Sequence, residues 1–119
     1  EVVLAALNGV LGDHLATRNN PLAIPMQFRL NGMPLAMDDQ AFEQLVRQSD
    51  GKIALMVHGS CMNDLLWKRQ GHDHGASLAR DLGYLPVYLH YNTGLHISQN
   101  GREFADLIEV LINQLPQPI

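Results

Sequence analysis

Two apolar runs, Ile53 to Val57 (IALMV) and Leu85 to Tyr91 (LPVYLHY), constrain the architecture of this chain more than any other feature. They begin just over thirty residues apart, with a helical pattern around Ala76 to Leu82 between them. The first has no polar alternation, as expected of a strand covered on both faces in a parallel sheet. Strand, helix and strand at this spacing make a βαβ unit, whose crossover should be right-handed. Gly83 stands where a helix C-terminal cap belongs.

The segments around this unit are read from turn and cap chemistry. Met26, Phe28 and Leu30 alternate with Gln27 and Arg29, and Met33, Leu35 and Met37 continue beyond Asn31-Gly32. Asn-Gly between alternating runs signals a hairpin, because both turn positions need positive φ. Pro34 has no amide to donate, so its strand should lie at an edge. The Met residues of this hairpin read as a core face. Asp38 or Asp39 can cap a helix carrying Phe42, Leu45 and Val46, which Asp50-Gly51 ends. Phe104, Leu107, Ile108, Leu111, Ile112 and Leu115 follow helical spacing and read as core packing. Ser98 or Asn100 can cap that helix, and Pro116 stops it. Val2 to Leu7 is continuously apolar and reads as a strand, with a buried helical turn as the alternative. The stretch NGVLGDHLATRNNPLAIP after it, rich in Gly, Asn and Pro, reads mostly as loop. The expected fold class is α/β: a mixed sheet, with an antiparallel hairpin at one edge and a parallel βαβ unit, flanked by helices.

Size and charge exclude several function classes. Residues 1–119 read as a single domain, and a chain of this length can bury a core without staples. Hydrophobic residues are 46% and charged residues 17%, a globular balance. The net charge of −4 and the lack of a Lys/Arg cluster argue against nucleic acid and anionic membrane as partners. No apolar run reaches transmembrane length. A single cysteine cannot close an internal disulfide, which favours a cytoplasmic setting. The opening Glu1-Val2-Val3 has no Met and no basic region, so it is not an intact signal peptide and suggests a piece of a longer polypeptide.

The stretch IALMVHGSCMND carries the chemistry, placing His58-Gly59-Ser60-Cys61 at the end of a buried-type strand. A strand ending in His-Gly, then a loop of small residues, resembles the oxyanion loop of the α/β-hydrolases. The second half, GYLPVYLHYNTGLHISQNGREFADLIEVLINQL, looks like the next strand and helix of the lipase/esterase members. The resemblance covers roughly Ala23 to Leu115. It implies that the backbone N–H of Ser60 or Cys61 stabilises the oxyanion of a tetrahedral intermediate, with His58-Gly59 shaping the loop. It also implies a nucleophilic serine on a G-x-S-x-G elbow, and none of Ser49, Ser60, Ser77 and Ser98 lies in one. The chain then resembles the N-terminal fragment of an α/β-hydrolase-like domain, ending before the nucleophile and inactive by itself. Its partner in the full-length protein would be an ester or lipid-like small molecule, with no cofactor. The resemblance further places the Leu85–Tyr91 strand between the hairpin and the Ile53–Val57 strand. That leaves Ile53–Val57 as an apolar edge, through which two copies could form a homo-dimer.

Other polar groups have plainer readings. Tyr91, Asn92 and His96 follow a strand's carboxyl end and form a possible site rim, with loop stabilisation as the alternative. Asn8-Gly9 and Gly12-Asp13-His14 read as turn chemistry. His72, Asp73 and His74 have chelating spacing, but Asp73 as a helix cap is the simpler reading and no metal is expected. Two readings stand beside the hydrolase: a non-catalytic α/β interaction module and, more weakly, a metal site on His72 and His74.

Overall fold

The computed structural model describes residues 2–69 and 72–115. Asn31 and Gly32 both hold positive φ, 53° and 76°, and join β1 (Gln27–Leu30) to β2 (Met33–Pro34) in an antiparallel hairpin. This is the backbone twist that Asn-Gly is suited to supply. β2 is short and outermost, so the missing amide of Pro34 faces no further strand. The third strand, β3 (Ile53–Val57), leads towards a short ladder of β4 (Lys68–Arg69) and β5 (His72–Asp73). The sixth, β6 (Leu85–His90), runs antiparallel to β1 and parallel to β3. The main sheet has four strands in the order β2-β1-β6-β3, so β6 is central and β3 is at the edge. The fold is α/β with a mixed sheet, in the strand order expected from the resemblance.

The helices cover the two faces unequally. α2 (Gln40–Gln48) begins at Asp39, whose carboxylate accepts the Ala41 amide at 3.2 Å. It buries Phe42 and Val46 against Phe28, Leu85, Val87 and Leu89 of the sheet. α4 (Ile97–Gln114) adds Leu111 to the same core, with Phe104, Leu107 and Ile108 packed beside it. α3 (His74–Leu82) lies on the opposite face, where a Cβ at Gly75 would overlap the Tyr88 hydroxyl. It starts at Asp73 and ends at Gly83 with φ 73°, the left-handed cap expected there.

Several expectations are corrected. Of the hairpin methionines read as a core face, Met26 and Met37 pack on the core but Met33 is exposed. Val2–Leu7 is not a strand, nor is the following stretch mostly loop: α1 runs from Val2 to Thr17. It buries Ala5, Asn8, Gly12 and Leu15, a helical spacing built from small and polar residues. Tertiary contact thereby overrides the turn propensity of Asn-Gly. β3 is not covered on both faces, since Leu55 and Val57 are 37% and 44% exposed. Among the described residues it has a strand neighbour on one side only. Neither Ser98 nor Asn100 caps α4; His96 is the cap residue, without a side-chain bond. Ile112, assigned to the core stripe, is exposed. Pro116 lies outside the described residues.

Candidate functional site

β3 and β6 end side by side, and the loops leaving them meet. His58, the first residue after β3, is buried, and its ring stacks on Tyr91 at 4.5 Å with an interplanar angle of 25°. The Tyr91 hydroxyl donates to the His58 carbonyl at 2.7 Å. His58 Nδ1 lies 2.9 Å from the Gly59 carbonyl, which can only accept, so this nitrogen carries the proton. Burial pushes the Tyr91 phenol above its usual range, because the charged form would lose water. These contacts make His58 a fixed part of the loop frame.

The next four residues form a tight turn, with the Met62 amide donating to the Gly59 carbonyl at 3.3 Å. Cys61 occupies its third position at φ 59°, a left-handed conformation unusual for a residue with a side chain. The Cys61 amide donates to Thr93 Oγ1 at 3.0 Å. Of the two amides singled out from the sequence, that of Cys61 is therefore already committed. The Ser60 amide has no acceptor among the described residues. Ser60 is exposed and lines an apolar pocket of about 300 Å3 with Val57, Leu89, Tyr91, Thr93 and Phe104. Among the described residues the only side-chain partner of Ser60 Oγ is Cys61 Sγ, at 3.8 Å. No base stands against either side chain there, as nucleophilic activation would require.

Of the three rim residues, the structure brings Tyr91 to the pocket. Asn92 lies beneath the rim, 1% exposed, with its side-chain amide and its carbonyl engaged. Its Nδ2 donates to the Gly12 carbonyl at 3.0 Å, and its Oδ1 accepts the Gly94 amide at 3.0 Å. Its carbonyl accepts Asn100 Nδ2 at 2.9 Å, so one side chain and its backbone tie α1, the loop and α4 together. His96 is exposed and outside the pocket, with Nε2 4.0 Å from Asp13 Oδ2. A contact this open to solvent contributes little.

No family model matches this chain, and no curated protein or solved structure resembles it closely enough to count as a match. Its chemistry is therefore argued from its own geometry.

Sequence reasoning missed Thr93 and the α1 face. A Cβ at Gly9 would overlap Cys61 Sγ and stand 3.0 Å from Cys61 Cα. One at Gly12 would overlap Asn92 Oδ1, and one at Gly94 would overlap the Asn8 carbonyl. Asn8, 0% exposed, donates to the Leu4 and Leu22 carbonyls and accepts the Ile24 amide at 2.8 Å. The available signal was the spacing of Ala5, Asn8, Gly12 and Leu15, which suits a helix that docks by close backbone approach.

The GHDHG stretch serves α3. Asp73 Oδ1 accepts both the Ala76 amide and the Tyr88 hydroxyl at 3.2 Å. The His72 and His74 rings meet edge-on at 4.7 Å. Among the described residues there is no group of three His, Cys, Asp or Glu side chains placed to hold a metal. The stretch is a short strand entering a helix rather than a loop, and Gly71 lies outside the described residues. A second, wider groove of about 700 Å3, lined by Asn20, Ile24, Glu103, Asp106 and Leu107, runs between the end of α1 and α4.

Proposed function

We propose that this chain is the part of a serine hydrolase of lipase/esterase type that supplies the oxyanion loop. The observation that carries the reading is the turn after β3. Among the described residues it leaves the amide of Ser60, which lines an apolar pocket, without an acceptor, at the carboxyl end of a parallel strand. Open α/β sheets bind ligands at such carboxyl ends. The reaction is acyl transfer from an ester to a serine that is not among these 119 residues. As the carbonyl carbon becomes tetrahedral, its oxygen gains charge and accepts the Ser60 N–H. Such a donor is held in place before the reaction, so no solvent must reorganise around the new charge. Loss of one such donor typically lowers kcat by about 10²–10³-fold. The apolar lining suits the acyl part of an ester or lipid-like substrate.

Turnover of a p-nitrophenyl ester tests the assignment. The 119-residue chain should show none. A polypeptide continuing through a strand and a G-x-S-x-G elbow after Ile119 should cleave the ester. Cleavage by the 119-residue chain that disappears in Ser60→Ala would overturn the proposal, as would a parent polypeptide with no such elbow.

The β3 edge favours a second reading, a non-catalytic α/β module. Its open backbone and the exposed Leu55 and Val57 offer a surface for strand addition by a second copy. Light scattering at high concentration should then detect a dimer that Val57→Lys disrupts. A strictly monomeric chain would sink this reading.

A further inference from the structure

We propose that Thr93 is a positioning residue for the oxyanion loop, and that the glycine face of α1 is the wall against which it works. This rests on the hydrolase reading above. The Ser60 amide has no partner of its own among the described residues, so its direction must be set by its neighbours. The peptide group before Ser60 is planar and trans, so its carbonyl and amide point opposite ways. The carbonyl end is that of Gly59, tied by His58 Nδ1 at 2.9 Å and the Met62 amide at 3.3 Å. The following peptide group ends in the Cys61 amide, tied to Thr93 Oγ1 at 3.0 Å. With both groups held, Ser60 has little freedom left, and its N–H is fixed in direction with them.

The Thr93 bond also sustains Cys61 in a strained conformation. A left-handed conformation is unfavourable for a non-glycine residue and persists only where its surroundings impose it. Those surroundings come from far along the chain. Asn92 Oδ1 bridges over Thr93 to the Gly94 amide, while Asn92 Nδ2 fastens the same turn to Gly12 of α1. Gly94 lies flush on the backbone of Asn8 and Gly12. Gly9 admits Cys61 itself, touching both its sulfur and its Cα. The first helix, the Asn92-Thr93-Gly94 turn and the Gly59–Met62 turn thus form one stack, in which Thr93 Oγ1 is the contact that aims the donor.

Amide hydrogen exchange by NMR on the 119-residue chain tests the contact directly. The Cys61 amide should exchange about tenfold slower than that of Ser60. Thr93→Val, which keeps the shape and removes the acceptor, should abolish that protection, and Thr93→Ser should restore it. Unchanged Cys61 protection in Thr93→Val, or failure of Thr93→Ser to rescue, would overturn the proposal. Gly9→Ala is the independent variant: it should shift the Ser60 and Cys61 amide resonances while Thr93 is intact, and unmoved resonances would count against the wall. In a polypeptide that carries the nucleophile, Thr93→Val should lower kcat about tenfold or more with KM nearly unchanged, because a misaimed donor acts on the transition state. Full activity in Thr93→Val despite lost Cys61 protection would also overturn the proposal. Absence of ester turnover in the unmutated polypeptide would refute the hydrolase reading instead, leaving the exchange result to decide the Thr93 contact.

Discussion

α1 and α4 stand at opposite ends of the chain and use the same helical period to opposite effect. α4 presents Phe104, Leu107, Ile108 and Leu111, large side chains that fill the space between helix and sheet. α1 turns Ala5, Asn8, Gly12 and Leu15 inwards, and leaves Val3 and Val10 in solvent. α4 is held by area removed from water, α1 by close backbone approach and buried hydrogen bonds. Bulk on the inner face would strengthen one mode and destroy the other. The contrast teaches that a helix can dock firmly with no apolar stripe to announce it.

The sharpest way to probe the α4 side is to remove bulk. Leu111→Ala should destabilise the chain by about 2–5 kcal/mol, the usual range for emptying a core site, read by chemical denaturation. A loss below 1 kcal/mol would mean that α4 is not a principal wall of the core. On the α1 side the informative change adds bulk. Gly12→Ala should destabilise by about 1–3 kcal/mol despite the better helix propensity of alanine, since its methyl would displace Asn92 Oδ1. The same substitution in α4 should have the opposite sign. A Cβ at Gly101 meets nothing within 4 Å, so Gly101→Ala should stabilise by about 0.5–1 kcal/mol. Equal signs for the two glycines would break the comparison.

The smallest expected effect lies where the α1 stack meets the Gly59–Met62 turn. The half-buried Tyr91 phenol has its pKa raised in the folded chain. The folded state therefore keeps this proton when the unfolded state releases it. The associated stability is fully present below the ordinary tyrosine range near pH 10 and is lost as pH rises through the folded value. Tyr91→Phe should flatten the alkaline fall in melting temperature. An unchanged slope would show that the phenol is not the group responsible.

The legible parts of the fold are those where local chemistry and tertiary environment agree. Asn31-Gly32 needed positive φ and formed the hairpin, Asp39 and Gly83 took their cap positions, and β6 was buried as its apolar run required. β3 has the same kind of run and ends exposed, because burial of a strand depends on neighbours that its own residues do not name. The site divides in the same way. His58, Gly59, Ser60, Cys61 and Tyr91 were found from one motif and one strand end, and they do meet in space. Asn92 was placed on the rim and His96 beside it, yet one is sealed under the loop and the other is in solvent. A polar side chain after a strand reads alike in either setting.

By itself, then, the sequence determined the parallel βαβ unit, the hairpin, the helix boundaries marked by caps, and the loop of small residues after β3. Each follows from periodicity or from a φ requirement that acts within a few residues. Tertiary structure alone decided that Val2–Thr17 is a helix and that Cys61 is held left-handed. It also committed the Cys61 amide and left that of Ser60 open. Those outcomes depend on Gly9, Gly12 and Thr93 meeting residues dozens of positions away, where the deciding quantities are the space left by a missing side chain and one hydroxyl within bonding distance.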